Sequence, residues 1–149
     1  MAIPATTADL QAYVDKFLSR LGFDDIVTTL GLEAHAADGE TISLRMALRE
    51  PISQANGMFS AAALFGAADI TGTFLAMAAY ADSGQFPLAV QSNQNFMSNS
   101  KSEYAVATAR ILRGGGSVAV AEVAVADAEG KQLMHSTFTY VIKERTFGK

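Results

Sequence analysis

The chain has 149 residues, a length typical of one domain with a substantial hydrophobic core. Half of its residues are hydrophobic and 17% are charged, which excludes an intrinsically disordered protein. The net charge of −4 and the scattered Lys and Arg residues argue against nucleic acid or an anionic membrane as a partner. The absence of cysteine excludes disulfides and thiolate chemistry. The N-terminal residues do not resemble a signal peptide, so we expect a cytoplasmic protein.

The first part of the chain predicts one helix and a β-hairpin. Apolar residues recur at helical spacing over residues 8–21, and Gly22 ends this helix. Residues 26–37 have an irregular pattern that favours a strand. A turn at residues 37–40 leads into residues 41–49, where apolar and polar side chains alternate as in a second strand. Residues 51–57 are predicted to form a loop.

The next segment is strongly apolar and predicts a long helix, from about residue 57 to Tyr80. It is long enough to cross a bilayer, but it is rich in Ala and Gly and carries a carboxylate. We therefore expect the buried helix of a globular fold rather than a membrane span. A helix that is apolar on nearly every side needs cover all round, which a curved sheet and a second subunit would provide.

The last third of the chain predicts four strands, at residues 88–97, 103–113, 118–126 and 132–143. A run of three glycines and a turn at residues 127–131 separate the last three of them. The element order predicts an α+β fold in which one curved antiparallel sheet wraps around one long helix. Residues 1–149 form a single predicted domain, which we expect to dimerise.

Asp69 is the one charged residue between Glu50 and Asp82. A buried carboxylate is costly unless it is paired or hydrogen-bonded, and no other ionisable group lies within two helical turns. Two interpretations follow: Asp69 is a structural carboxylate satisfied by tertiary partners, or its helix lines a cavity where the carboxylate acts chemically. Helical periodicity places the following residues on its side of the helix: Met58, Ala62, Phe65, Gly66, Gly72, Thr73 and Ala76.

The stretch from Gln54 to Asp69 resembles the motif at the start of the central helix in hotdog-fold thioesterases. It is similar to the phenylacetate-type, or PaaI-like, acyl-CoA thioesterases, whose motif reads roughly N-x-x-G-x-x-H-G-G-x-x-x-x-x-x-D/E. Gly57 matches the first glycine, and Asp69 falls on the acidic position. The sequence Asn95-Phe96-Met97 and the strands up to residue 143 agree as well. The resemblance covers about residues 10–143 and implies a hotdog fold that assembles as a homodimer or homotetramer.

The resemblance also implies roles for individual residues. Asp69 would be the general base or the nucleophile, and the backbone N–H of Ala61 would hold the thioester oxygen. Gln54 occupies the position of an Asn that orients the nucleophile or the water. Residues implied to bind the acyl-CoA or related thioester substrate are Asn56, Gly57, Ser60, Ala62, Phe65, Thr73 and Asn95.

Several positions depart from the family pattern. Ser60 replaces the usual His, Ala61 and Ala62 replace two glycines, and the hydroxyl that supports the base in some members falls near Ala89. A backbone donor survives a Gly→Ala replacement where the backbone is helical. Three functions stay open: an acyl-CoA thioesterase, a non-catalytic acyl-CoA or acyl-ligand binding protein on the same scaffold, and a structural dimer with its tunnel packed shut.

Metal and cofactor sites are not predicted. His35 and His135 lie in separate predicted strands and have no metal-ligand spacing between them. The glycine run Gly114–Gly116 joins two strands and does not open a helix, so it does not fit a phosphate-binding loop. We therefore expect catalysis without a metal ion or a cofactor.

Overall fold

The computed structural model describes residues 2–144, in which six strands wrap around one long helix. Its helices are α1 (Thr7–Ser19), α2 (Ile26–Leu30) and α3 (Ala61–Tyr80), with a short 3₁₀ helix at Glu50–Ile52. Its strands are β1 (Leu32–Ala37), β2 (Thr41–Ala47), β3 (Gln85–Phe96), β4 (Tyr104–Arg113), β5 (Val118–Asp127) and β6 (Gln132–Glu144).

The six strands form one sheet in the order β1-β2-β4-β5-β6-β3, and every neighbouring pair is antiparallel. Helix α3 packs on the concave face of the sheet, and α1 packs against β1. This arrangement is the hotdog fold, so the predicted fold class, including the extra N-terminal helix, is confirmed.

Small side chains bring α3 close to the sheet. The residues of β4 and β5 that face it include five fully buried alanines: Ala105, Ala107, Ala109, Ala119 and Ala121. Helix α3 is long and apolar enough to cross a membrane by length and composition, and 61% of its most apolar window is buried inside this fold. Its apolar character on nearly every side is therefore that of a core helix with the sheet wrapped around it.

Local predictions differ from the structure at three places between residues 26 and 61. The segment predicted as the start of a strand is α2, a single helical turn: the Asp25 side chain caps it by accepting from Val27 N, and Gly31 ends it in the left-handed conformation. Its β-branched residues favoured the wrong interpretation. The first two residues of the predicted 51–57 loop also differ, because Glu50–Ile52 is a 3₁₀ helix with Pro51 in its first turn.

The long helix begins later than predicted, at Ala61, because Ser60 is its N-cap. The Ser60 hydroxyl accepts a hydrogen bond from Ala63 N at 3.0 Å, and its backbone is extended. The residues before it form a tight turn, in which Gln54 N donates to Met58 O and Gly57 N donates to Gln54 O, both at 2.8 Å. This turn fixes the direction in which α3 leaves the loop.

Candidate active site

Asp69 lies in the third turn of α3 and faces a cleft of about 340 Å³. The cleft is bounded by α1, the start of α2, α3 and the first half of β3. Its lining is mainly apolar and aromatic: Phe17, Ile26, Val27, Ile70, Phe74, Met77, Phe86, Pro87, Leu88 and Ala89, with Thr73, Asp25 and Asp69 as polar members. The structure therefore has a feature of each interpretation of this charge, because Asp69 lies on an apolar cleft and also has a tertiary partner in the Tyr140 hydroxyl, 3.3 Å from Oδ1.

Burial governs the protonation of Asp69. Loss of solvent around the carboxylate raises the pKa of Asp69, and a hydrogen bond from the Tyr140 side chain lowers it by a smaller amount. No Lys, Arg or His within residues 2–144 forms an ion pair with this carboxylate. Asp69 is therefore a partly buried acid without a compensating cation, an arrangement suited to a base that works near neutral pH.

Tyr140 is a site residue that sequence reasoning missed. It lies on β6, its side chain is fully buried, and its hydroxyl is 2.8 Å from the backbone oxygen of Asp69 and 3.3 Å from Asp69 Oδ1. The strand alternation places Tyr140 on the inward face with Phe138, and a buried tyrosine hydroxyl needs a partner. This requirement could have identified Tyr140 in the sequence as a residue with a polar partner, although it does not say which helix residue that partner is.

The neighbouring strand offers no hydroxyl at this point. Ala89 of β3 is directly opposite Tyr140 in the β3–β6 register and also lines the cleft. The family pattern would place a supporting Ser or Thr near Ala89, whereas here the hydroxyl that reaches Asp69 comes from Tyr140 on the next strand.

The N-terminus of α3 presents two backbone donors. Ala63 N is bonded to the Ser60 hydroxyl and Leu64 N to the Ser60 carbonyl, while Ala61 N and Ala62 N have no acceptor within residues 2–144. Both alanines are exposed and lie in the helix. Their N–H groups point out of the positive end of the helix dipole, which favours a negatively charged oxygen.

Gln54 lies in the turn before α3. Its side-chain oxygen accepts a very short hydrogen bond from Asn56 N, so this amide is engaged with its own turn. Asn56 and Gly57 are exposed in the same turn, and Gly57 has a positive φ of 76° that glycine adopts without strain. Lys101 lies beside Gly57, from the segment between β3 and β4.

The donors and the acid lie apart within one chain. Asp69 follows Ala61 by eight residues, which at the helical rise separates them by about 12 Å along the axis. A thioester carbonyl cannot contact both groups of the same helix at once. Thr73, one turn after Asp69, shares the cleft with it, while Phe65 is exposed and packs beside Phe138 with ring centroids 5.7 Å apart.

Asn95 lies on the opposite face of the sheet from α3. It is directly opposite His135 in the β3–β6 register. His135 is five positions from the inward-facing Tyr140, so the two side chains point to opposite faces. On that outer face His135 is 3.4 Å from Glu122, which also pairs with Arg110 at 3.0 Å. Within one chain Asn95 does not approach Asp69.

Within residues 2–144, no group of three His, Cys, Asp or Glu side chains is placed to hold a metal ion. The polar side chains that line the cleft are Asp25, Asp69 and Thr73, and the Tyr140 hydroxyl contacts Asp69. At the start of α3 the available groups are backbone N–H donors. A carboxylate can act as a base and backbone N–H groups can bind an oxyanion, which are the two roles that acyl transfer to water requires.

Comparison with known proteins gives the family and the fold of the chain. The family model of the thioesterase superfamily matches residues 56–134, a segment that contains α3, Asp69 and most of the sheet. The chain belongs to the thioesterase superfamily. No curated protein sequence matches it.

Solved structures share the hotdog fold at low sequence identity. A thioesterase from Haemophilus influenzae is 19% identical, with a TM-score of 0.78 over 87% of this chain and 90% of that one. A mutant thioesterase from Pseudomonas aeruginosa is 17% identical, with a TM-score of 0.80 over 90% of this chain and 94% of that one. The PaaI protein from the phenylacetic acid degradation operon of E. coli is 15% identical, with a TM-score of 0.75 over 95% of this chain and 96% of that one.

Proposed function

We propose that this thioesterase-superfamily protein hydrolyses acyl-CoA thioesters as a homodimer, with Asp69 as the base or nucleophile. The observation that carries the proposal is the partly buried Asp69 carboxylate, which faces an apolar cleft without an ion-pair partner among the described residues. Such a carboxylate lowers the stability of the fold, so its presence favours a role in chemistry.

Hydrolysis needs a nucleophile on one side of the thioester carbonyl and donors for its oxygen on the other. As a base, Asp69 takes a proton from water while the water oxygen forms a bond to the carbonyl carbon. The N–H groups of Ala61 and Ala62 stabilise the resulting oxyanion. When the C–S bond breaks, the proton held by Asp69 passes to the leaving thiolate, and the products are a free acid and a thiol.

The dimer supplies the missing half of each site. Because Ala61 and Asp69 lie about 12 Å apart along one helix, the donors that act with Asp69 come from a second subunit. Strand β3 ends the sheet and has no neighbour on its outer side among the strands of residues 2–144. An exposed strand edge pairs readily with a second copy, and β3 also borders the Asp69 cleft.

The cleft indicates the part of the substrate that lies beside Asp69. Its aromatic and aliphatic lining suits the acyl group, since few of its side chains could satisfy the polar amides of a pantetheine arm. The polar turn around Gly57 and Lys101 lies at the other end of α3, where the carrier would extend from the donor side. We infer an apolar acyl group carried on coenzyme A.

The test is thioester hydrolysis by the purified protein over short, medium, aromatic and hydroxylated acyl-CoAs. The released thiol can be measured with a thiol reagent without background, because the chain has no cysteine. We expect turnover by the wild type and a loss of about 10²–10⁴-fold in kcat for Asp69→Asn. Asp24→Asn, at an exposed position outside the cleft, is the matched control and should keep wild-type activity.

Folding and binding measurements separate the alternatives. Asp69→Asn should fold normally by circular dichroism and melt at the same or a higher temperature, because a partly buried charge is removed. Saturable binding of acyl-CoA without turnover by the wild type would replace the hydrolase with the acyl-binding function. Neither binding nor turnover would leave only a structural dimer.

Isotope labelling tests the nucleophilic role of Asp69. A single turnover in water enriched in ¹⁸O places label in the Asp69 carboxylate only if an acyl-aspartyl anhydride forms and water then attacks its aspartyl carbonyl. Mass spectrometry of the peptide that contains Asp69 measures this. Label found only in the product acid excludes water attack on the aspartyl carbonyl, which leaves the general-base route and an anhydride that opens at its acyl carbonyl.

A further inference from the structure

The Tyr140 hydroxyl reaches Asp69 through an otherwise apolar wall. Its neighbours on the inward face of the sheet are Ala119 on β5 and Ala89 on β3, and neither offers a polar side chain. The hydroxyl is 2.8 Å from the Asp69 backbone oxygen and 3.3 Å from Oδ1, so both oxygens are within hydrogen-bond distance and the backbone oxygen is the nearer acceptor. This contact joins β6 to the middle of α3.

Gly72 makes the contact possible. A Cβ at this position would overlap the Tyr140 hydroxyl and touch the ring carbons next to it. Glycine inside a helix costs about 1 kcal/mol relative to alanine, so its presence at this buried turn needs a structural reason. The approach of Tyr140 to the helix backbone is that reason.

Thr73 completes the arrangement around the hydroxyl. Burial raises the pKa of Tyr140 well above its usual value, and the nearby Asp69 charge raises it further, while a hydrogen bond with the Thr73 side chain opposes both effects. Tyr140 therefore stays protonated and acts as a donor. Asp69, Gly72 and Thr73, which lie within about one turn of α3, are thus all next to this one hydroxyl.

We propose that Tyr140 is a positioning residue for Asp69, holding Oδ1 at the helix so that the second carboxylate oxygen faces the cleft. The inference rests on the proposed hydrolase function for its catalytic meaning. The donor also favours the ionised carboxylate, which is the form that accepts a proton from water. Tyr140 itself does not touch the reacting atoms.

Few other ionisable groups lie near Asp69, so the effect of the Tyr140 hydrogen bond on the Asp69 pKa can be measured. Asp25 is the other ionisable residue on the cleft, and it is engaged with Val27 N at the start of α2. The side chains that α1 and β3 contribute to the cleft are uncharged. Burial raises the pKa of Asp69 and the Tyr140 bond lowers it, so loss of the bond raises it further.

The test compares wild type with Tyr140→Phe, which removes only the hydroxyl. We expect the acidic limb of the pH profile of kcat/KM to move to higher pH by about half a unit or more. At neutral pH kcat should fall about tenfold, and KM should stay within about twofold. Tyr104→Phe, on the outer face of the sheet beside His35, is the matched control and should change neither quantity.

A direct titration separates this inference from the proposed function. The pKa of Asp69 is measured by carboxyl ¹³C NMR in wild type and Tyr140→Phe, which needs no turnover. If the wild type hydrolyses no thioester, the hydrolase proposal fails, but the titration still shows whether the Tyr140 hydroxyl lowers the pKa of Asp69. An unchanged Asp69 pKa together with an unchanged pH profile in folded Tyr140→Phe overturns the positioning role.

A second variant tests the same contact from the helix side. Gly72→Ala displaces the Tyr140 hydroxyl, so both activity and melting temperature should fall. In Gly72→Ala/Tyr140→Phe the overlap with the hydroxyl is gone, and part of the lost stability should return without the lost activity. Stability effects that simply add would show that Gly72 and Tyr140 act independently and would contradict the inference.

Discussion

The two ends of the candidate site use different parts of the chain. At the start of α3, the donors are the backbone N–H groups of Ala61 and Ala62, and their side chains are exposed. Two turns later, the acid depends on the side chains of Asp69 and Tyr140 and on the missing side chain of Gly72. Backbone N–H donors persist when the side chains of their residues are replaced. The contact between the Asp69 and Tyr140 side chains is lost when either residue is replaced.

This difference explains how the chain departs from the thioesterase motif without losing the donors. Alanine replaces both glycines of the motif, and both alanines adopt the helical backbone that presents an N–H at the first turn. Apart from Ala89 on β3, the departures lie in the first turn of α3, at its N-cap and in the turn before it. The acid, by contrast, retains the residue type that the motif specifies.

The most direct test of the donor end is Ala61→Pro. Proline is well tolerated at the first position of a helix, and Ser60 already has the extended backbone that precedes proline. The substitution removes one unpaired N–H and no hydrogen bond of the fold, so we expect kcat to fall about 10²–10³-fold with little change in melting temperature. Ala61→Gly retains the N–H and should keep activity within a few-fold. Wild-type kcat in Ala61→Pro would contradict an oxyanion role for this group.

Phe17→Ala tests the wall that separates the Asp69 cleft from a neighbouring cleft. Phe17 and Met77 line both the Asp69 cleft and a second cleft of about 230 Å³ between α1 and the end of α3. Removing the ring joins the two, so the ratio of kcat/KM for long over short acyl chains should rise about tenfold. Loss of packing against Phe74 should cost about 2–4 kcal/mol in the free energy of unfolding. Phe17→Leu should keep the ratio of the wild type. An unchanged chain-length profile for Phe17→Ala would place the acyl group elsewhere.

A smaller effect is expected when the cap of α3 is removed. Ser60→Ala loses the hydrogen bond to Ala63 N, which should lower stability by about 1 kcal/mol and the melting temperature by about 2–4 °C. The backbone donors stay in place, so kcat should change by less than about threefold. Ser60→Thr should restore the stability. A large fall in kcat at unchanged melting temperature would show instead that the Ser60 hydroxyl contacts the substrate.

The smallest effect is expected at the outer face. Asn95→Ala should leave kcat and KM within about twofold of wild type, because Asn95 lies beside His135 on the face of the sheet remote from α3. Asn93→Ala, two residues away on the same face, is the matched comparison. A rise in KM confined to Asn95→Ala would restore the substrate-binding role that the motif suggests.

Local sequence patterns predicted the helix that carries Asp69 but did not predict the tertiary contacts of Asp69. The isolated charge of Asp69 in an apolar helix was visible in the sequence, as was the order of the strands and the two longer helices along the chain. The Tyr140 contact was not, because its partner is 71 positions away and the strand pattern gives only the face of the sheet. The turn at α2 was misread because its β-branched residues favour strands, while the capping residues Asp25 and Gly31 decide the conformation.

The alanines of β4 and β5 have a consequence for how such a protein evolves. They hold α3 against the sheet at a distance that larger side chains would disturb, so this side of the helix has little freedom to vary. The opposite wall of the cleft comes partly from Phe17 of α1, a helix that anchors in the core through its buried Leu10 and Val14. New acyl preferences can therefore arise by substitution in the N-terminal helix, while the helix that carries the acid keeps its place.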